Sequence, residues 1–230
     1  MPDTTVQAIH DRTNSGEHSS QVESAEDNFK IQGPRCMRCG KPVRREETEY
    51  CHDCAKADFT YEQGRSLYLH RPPVSTAIYQ FKFHNKRIYG EFFAKEMASE
   101  FAHLIKRWDI QEIIPVPLHP KKRRKRGYNQ AEILAKNLSQ FLNIPINTSC
   151  IYRIENTNPQ KELNDKERKR NLKQAFAIDR EWQPRGNVLL IDDIYTTGST
   201  IDAMSRLLVK KSRGKVKVYF LTISIGQGDE

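Results

Sequence analysis

Residues 188–191 read Val-Leu-Leu-Ile and run directly into Asp192 and Asp193, then Ile194, Tyr195, Thr196, Thr197, Gly198, Ser199 and Thr200. A further stretch follows with apolar residues at Ile201, Met204 and Leu208. An unbroken apolar run marks a strand buried on both faces of a parallel sheet, and the three-and-four spacing marks an amphipathic helix. The unit is therefore strand, loop, helix, with two carboxylates where the strand ends and a hydroxyl-rich turn where the helix begins. A helix start offers unpaired amides and the positive end of a dipole, and Gly198 lets backbone approach a ligand closely. That combination predicts a phosphate cradle. The plainer reading of the acid pair is a helix start flanked by solvated carboxylates.

The chain lacks both the G-x-x-x-x-G-K-[ST] loop of nucleoside triphosphate binders and the G-x-G-x-x-G turn of dinucleotide binders. Vicinal carboxylates just upstream of a phosphate turn suit the hydroxyls of a ribose 5-phosphate, with Mg²⁺ shared between acids and ligand. Strand-like runs near 76–83, 111–116, 146–154, 187–192 and 216–223 alternate with helical stretches near 88–107, 129–142 and 200–212. This alternation predicts an α/β fold with a mainly parallel sheet flanked by helices. In such a sheet ligands collect beyond the carboxyl ends of the strands. The basic loop after the strand near 111–116, with Lys121, Lys122, Arg123, Arg124, Lys125 and Arg126, should then border the same cleft as Asp192.

Four apolar residues, two acids and a Thr/Gly-rich turn resemble the signature of type I phosphoribosyltransferases. The resemblance implies that Asp192 and Asp193 hold the ribose hydroxyls of phosphoribosyl pyrophosphate (PRPP) and orient the ring in catalysis. It also implies that Thr196, Thr197, Gly198, Ser199 and Thr200 bind the 5-phosphate, with Lys82, Arg126 and Tyr128 completing the PRPP site. Transferases acting on 6-oxopurines carry an acid where Thr196 stands, a departure that leaves the acceptor open. The segment Pro115-Val116-Pro117-Leu118-His119-Pro120, followed by Arg126-Gly127-Tyr128-Asn129-Gln130, closely resembles the ComF family of competence-associated phosphoribosyltransferase-like proteins. Further matches are residues 77–83, the series Arg153, Gln160, Leu163, Arg168, Asn171 and Phe176, and the cysteines described next, so the likeness runs from about residue 34 to about 225.

Cys36 and Cys39, then Cys51 and Cys54, form two C-x-x-C pairs separated by eleven residues. Each pair spans one side of a tetrahedral ion, which points to structural Zn²⁺, with iron the competitor for four thiolates. Gly40 suits the tight turn of such a knuckle, and Tyr50 is placed to cover it. Disulfides or redox-active thiols are the other reading and fit a reducing compartment poorly. A closed four-cysteine site has no open position for water, so the ion holds structure rather than performing chemistry. Cys150 reads as a small buried hydrophobe.

The net charge of +9 points to anionic partners. Residues 1–30 oppose it with six acids against Arg12 and Lys30, and read as a disordered tail before a zinc finger over 31–60 and a phosphoribosyltransferase-like domain over 61–228. The first residues lack the pattern of a signal peptide, and no apolar run approaches the roughly 18 to 20 residues of a membrane span. A cytoplasmic protein is expected, with peripheral contact at the inner face of the membrane left open.

Six consecutive cations exceed what a pyrophosphate needs. They read as a solvated run, as a phosphate site, or, with Arg168, Lys169 and Arg170, as a groove for single-stranded DNA in which Tyr128 stacks on a base. Residues 155–174 read as a flap over the cleft or as an ordinary helix of mixed charge. The ComF resemblance implies a PRPP-binding competence protein that handles incoming single-stranded DNA, partnered by a helicase or other uptake proteins. The alternative is an active phosphoribosyltransferase with a nucleobase or amine acceptor and no direct DNA role.

Overall fold

The computed structural model describes residues 29–154 and 175–226. In chain order its elements are helix α1 (His52–Lys56), strand β1 (Gln63–Leu69), helices α2 (Val74–Phe83) and α3 (Ile88–Arg107), strand β2 (Ile110–Pro115), and helices α4 (Pro120–Arg126) and α5 (Gln130–Leu142). There follow strands β3 (Ile151–Arg153), β4 (Phe176–Ile178) and β5 (Asn187–Tyr195), helix α6 (Ser199–Lys211) and strand β6 (Val218–Ile225).

The apolar run at 188–191 is fully buried because β5 is hydrogen-bonded on both sides, in a four-stranded sheet of order β1-β6-β5-β2 whose pairings are all parallel. Alternation along β5 divides its side chains between two apolar clusters. Val188 and Leu190 join Phe220, Met204 and Leu208 on the face covered by α6 and the four cysteines. Leu189 and Ile191 join Phe81, Phe93, Met97 and Leu134 on the face covered by α2, α3 and α5. Helices on both faces are what a parallel sheet requires, since neither face can be left wet. The expected α/β architecture, with a four-cysteine cluster before it, is present.

Several expectations change. Residues 76–83 form a helix: Val74, Ala77, Ile78 and Phe81 are buried at three-and-four spacing, and a short apolar run cannot be told from a strand by composition alone. The strand missed in the sequence is β1, whose Gln63, Gly64, Arg65 and Ser66 give no apolar run because an edge strand needs less of one. The run expected at 146–154 contributes only β3, which pairs antiparallel with β4 outside the main sheet, plus a bridge from Ile146 to Ile113.

The basic segment is helix α4 rather than a loop. The His119 ring accepts from the Lys121 amide at its start, and Gly127 ends it at φ +78°. Strand β5 also runs past both acids to Tyr195, because Asp192, Ile194 and Tyr195 stay in register with Thr222, Ser224 and Ile225 of β6. The expected helix faces hold for Ile201, Met204 and Leu208 and for Ala131, Leu134 and Leu138; of Phe141 and Leu142, the two candidates to complete the second face, Leu142 packs against the core and Phe141 is exposed. Cys150 is buried, and Tyr50, expected to cover the knuckle, stands in solvent with the Arg38 guanidinium over its ring. The tail up to residue 28 and the cations Arg168, Lys169 and Arg170 lie outside the described residues.

Gly64 of β1 lies beside Phe220 of β6 in the sheet, and a Cβ on Gly64 would fall 2.1 Å from that ring. Gly64→Ala should therefore lower stability by about 1–3 kcal/mol through overpacking, read as a shifted urea midpoint at unchanged m-value. An unshifted midpoint would show that β1 is not seated as described.

Candidate functional site

The carboxyl ends of the four parallel strands converge on Asp192 and Asp193. Consecutive strand positions send the two carboxylates toward opposite faces of the sheet. Asp193, on the side of Ile191, meets Lys82 of α2, with Nζ 2.9 Å from Oδ1 and both side chains mostly buried. Asp192, on the side of Leu190, accepts from the amide of Asp193 at 2.8 Å and feels the guanidinium of Arg153 on β3. Burial, reinforced by the charge of Asp193, pushes the Asp192 carboxyl up to about 7 against the opposing pull of that amide, Lys82 and Arg153. The pair therefore lies ready for a cation or a set of hydroxyls that would favour its charged form.

Directly after β5 the chain turns through Thr196 and Thr197, both exposed, to Gly198 at φ +76°. Gly198 precedes α6 without any side-chain cap, so the first amides of a 13-residue helix are not served by a capping side chain. Thr197 Oγ1 and Ser199 Oγ lie 2.9 Å apart on the open side of this turn. Its inner side is a wall: a Cβ at Gly198 would stand 2.5 Å from the Tyr195 hydroxyl, which is hydrogen-bonded to the Tyr61 hydroxyl at 2.7 Å. Glycine is thus required twice over, for the backbone angle and for the space.

Cations ring the acids. Burial and the charges of Arg126, Arg153 and Lys82 pull the Lys122 ammonium below its ordinary value, although much of that residue is exposed. Lys122 and Arg126 of α4, Arg153 of β3 and Lys82 of α2 thus form one electropositive group facing two carboxylates, as the sequence led us to expect of the two loops. His70, at the end of β1, joins them with Nδ1 2.9 Å from Ser224 Oγ. Burial and the charge of Lys82 hold its pKa below the usual histidine value. His70 escaped the sequence reading because β1 did, while Arg153 stood in the ComF-like series without a role.

Tyr128 does not have the place expected of it. Its ring is buried, its hydroxyl donates to the carbonyl of Phe81, and the Arg87 guanidinium lies 4.7 Å from its centroid. It ties the turn between α4 and α5 to α2 and offers no open face for a base. Arg123 pairs with Glu132 at 3.2 Å, while Lys121 and Lys125 are exposed.

The four cysteine sulfurs lie within 4.8 Å of one another, with Cys39 and Cys51 at 3.6 Å, and none is in a disulfide. Zn–S bonds of about 2.3 Å in a tetrahedron place sulfurs roughly 3.8 Å apart, so the donor set fits one such ion. Gly40, at φ +75°, turns the first pair and donates its amide to Cys36 O at 3.0 Å. The cluster is tied to the turn before α6. The Thr60 amide donates to Asp202 of α6 at 2.7 Å, Arg206 of α6 donates to Asp58 O at 2.9 Å, and Tyr61 reaches Tyr195.

No protein-family model matches the chain. Among curated proteins it is 33% identical to competence protein F of Haemophilus influenzae over 193 residues, covering 82% of this chain and 84% of that protein. It is 29% identical to the DNA utilization protein YhgH of Escherichia coli K12, over 81% of this chain and 82% of the relative. With competence protein ComFC of Bacillus subtilis it shares 27% identity over 80% and 75%. Among solved structures, an adenine phosphoribosyltransferase aligns with 58% of this chain and 69% of its own, at 17% identity and a TM-score of 0.37. An orotate phosphoribosyltransferase from Aeropyrum pernix aligns at 15% identity and 0.31, covering 58% and 56%.

The unfolded chain ionises Asp192 near 3.8 and the folded chain near 7. Between those values the folded state holds the extra proton, so stability falls as pH rises through the window. Asp192→Asn should melt with the wild type at the acid end of the window and above it at the alkaline end. Parallel melting curves at both ends would show that Asp192 is not held in a desolvating site.

Proposed function

The chain belongs to the competence protein F family, and on that premise we propose that it binds PRPP at the carboxyl ends of β5 and β6 and serves the uptake and use of DNA. The observation that carries the reading is the succession, within nine residues, of the desolvated acid pair and an uncapped, glycine-backed helix start. In this reading the 5-phosphate takes the amides and hydroxyls of Thr196, Thr197, Gly198, Ser199 and Thr200. The carboxylates of Asp192 and Asp193 accept from the ribose hydroxyls, and the guanidinium of Arg126 with Lys122 and Arg153 meets the pyrophosphate. Lys82 holds Asp193 in place. Mg²⁺, when bound, would neutralise the diphosphate, and Asp192 and Asp193 are the carboxylates suited to hold it.

The same acid pair suits a second reading, catalytic transfer. There an acceptor nitrogen forms its bond to the anomeric carbon as the bond to pyrophosphate breaks, and the pair orients the ring. The exposed cations of α4 support a further part of the proposal, contact with the phosphates of single-stranded DNA. The four-cysteine cluster is read as structural Zn²⁺, an ion that closes the knuckle and leaves no position for a substrate. No helix among the described residues is long and apolar enough to cross a membrane.

Calorimetric titration with PRPP and Mg²⁺ should give saturable binding that weakens at least about 10-fold in Asp192→Asn/Asp193→Asn, as expected when charge-assisted hydrogen bonds are lost. Unchanged affinity would remove the pocket, and pyrophosphate release on adding an acceptor would separate the transferase from the binder. Elemental analysis of freshly purified protein should return one zinc per chain, and a content near zero would contradict the structural ion.

A further inference from the structure

We propose that the paired rings of Tyr79 and Phe83 on α2 form a stacking platform for the unpaired bases of single-stranded DNA, at the rim of the cleft. The two residues are one helical turn apart on the face opposite buried Ala77, Ile78 and Phe81, and they are 53% and 52% exposed. Their ring centroids lie 4.9 Å apart, and the His84 ring is 5.4 Å from Tyr79. The Arg126 guanidinium sits 4.7 Å from the Phe83 centroid and extends the group by a planar cation. Nothing in the core uses these rings, and leaving two large aromatics in water gives folding no return.

The charge around them selects the occupant. Residues 82–88 carry Lys82, Lys86 and Arg87, and α4 carries six cations, with no acid in either segment. Aromatic faces set among cations match a strand that presents a π-face and a phosphate at every nucleotide. A duplex hides those faces within its own stack, so the ligand is an unpaired strand. Lys82, which lies between Tyr79 and Phe83 in sequence, binds Asp193, so the platform stands beside the sugar-phosphate site. The ring that the sequence favours for stacking, Tyr128, is buried, and this exposed pair takes the role instead.

The inference rests on the reading that α4 meets DNA phosphates, and the experiment tests the two separately. Full-length protein would be titrated with a thymidine oligonucleotide and with an abasic deoxyribose-phosphate oligomer of equal length, across a salt series. We expect salt-sensitive binding of both, with the base-bearing strand held about 10-fold more tightly. Tyr79→Ala/Phe83→Ala should abolish that preference while the abasic oligomer keeps its affinity and salt slope, and Tyr79→Phe/Phe83→Tyr should restore the preference. The platform is overturned if the wild type shows no preference, if the alanine pair retains it, or if duplex DNA binds as tightly as the single strand. Failure of both oligomers to bind would remove the DNA reading together with the platform.

Discussion

Strand β5 is held on both edges by parallel ladders, and this double pairing carries the rest of the site. A strand so placed cannot slip, because a one-residue shift would turn Val188, Leu189, Leu190 and Ile191 to the wrong clusters. Its far end is therefore a fixed point in the molecule. Asp192 and Asp193 extend from that point, and the turn before α6 begins two residues later. Carboxylates on a rigid strand keep their geometry better than carboxylates on a loop, and the continuation of β5 to Tyr195 gives them that rigidity.

The chemistry of the cleft follows from what surrounds this fixed end. Two acids share a partly buried rim, and among the described residues it is Lys82 that makes a direct ion pair there, with Asp193. Burial, and then the charges of Arg126, Arg153 and Lys82, hold the Lys122 ammonium below its ordinary value. Like charges held together without enough counter-charge favour a polyanion placed between them. Their surroundings come from three different parts of the chain, α2, α4 and β3, so the cleft exists only in the folded molecule. The segment that follows the knuckle contributes as well, with Tyr61 bonded to Tyr195 of β5 and Asp58 to Arg206 of α6.

The central strand, the turn and the four cysteines were legible in the sequence, because each is a local pattern with few physical readings. Buried runs such as 188–191 and ligand spacings such as Cys36 to Cys39 survive any context. Helix α3 was legible in the same way, from twenty residues of helical periodicity. What the sequence hid was decided by neighbours. Residues 77–83 are apolar enough for a strand, but Pro73 before them and the packing of Phe81 against Tyr128 make them a helix. β1 looks polar because, among the described residues, its outer edge meets only a short bridge from Lys30 and single backbone bonds from Ile31 and to Arg38, and with it went His70. Tyr128 next to six cations suggests a stacking ring, whereas its contacts with Phe81 and Arg87 decide that it points inward.

Sheet order gives β1 one parallel partner, β6, and those strands lie at opposite ends of the described chain. A ribosome delivers β1 long before the strand that will pair with it, so Leu67 and Tyr68 must wait while some 150 intervening residues are made. The same wait applies to Tyr61, whose hydroxyl finds Tyr195 only when β5 has emerged. The cysteine knuckle, whose four thiols come from one short stretch of chain, is then the part of the nascent chain that can gather first.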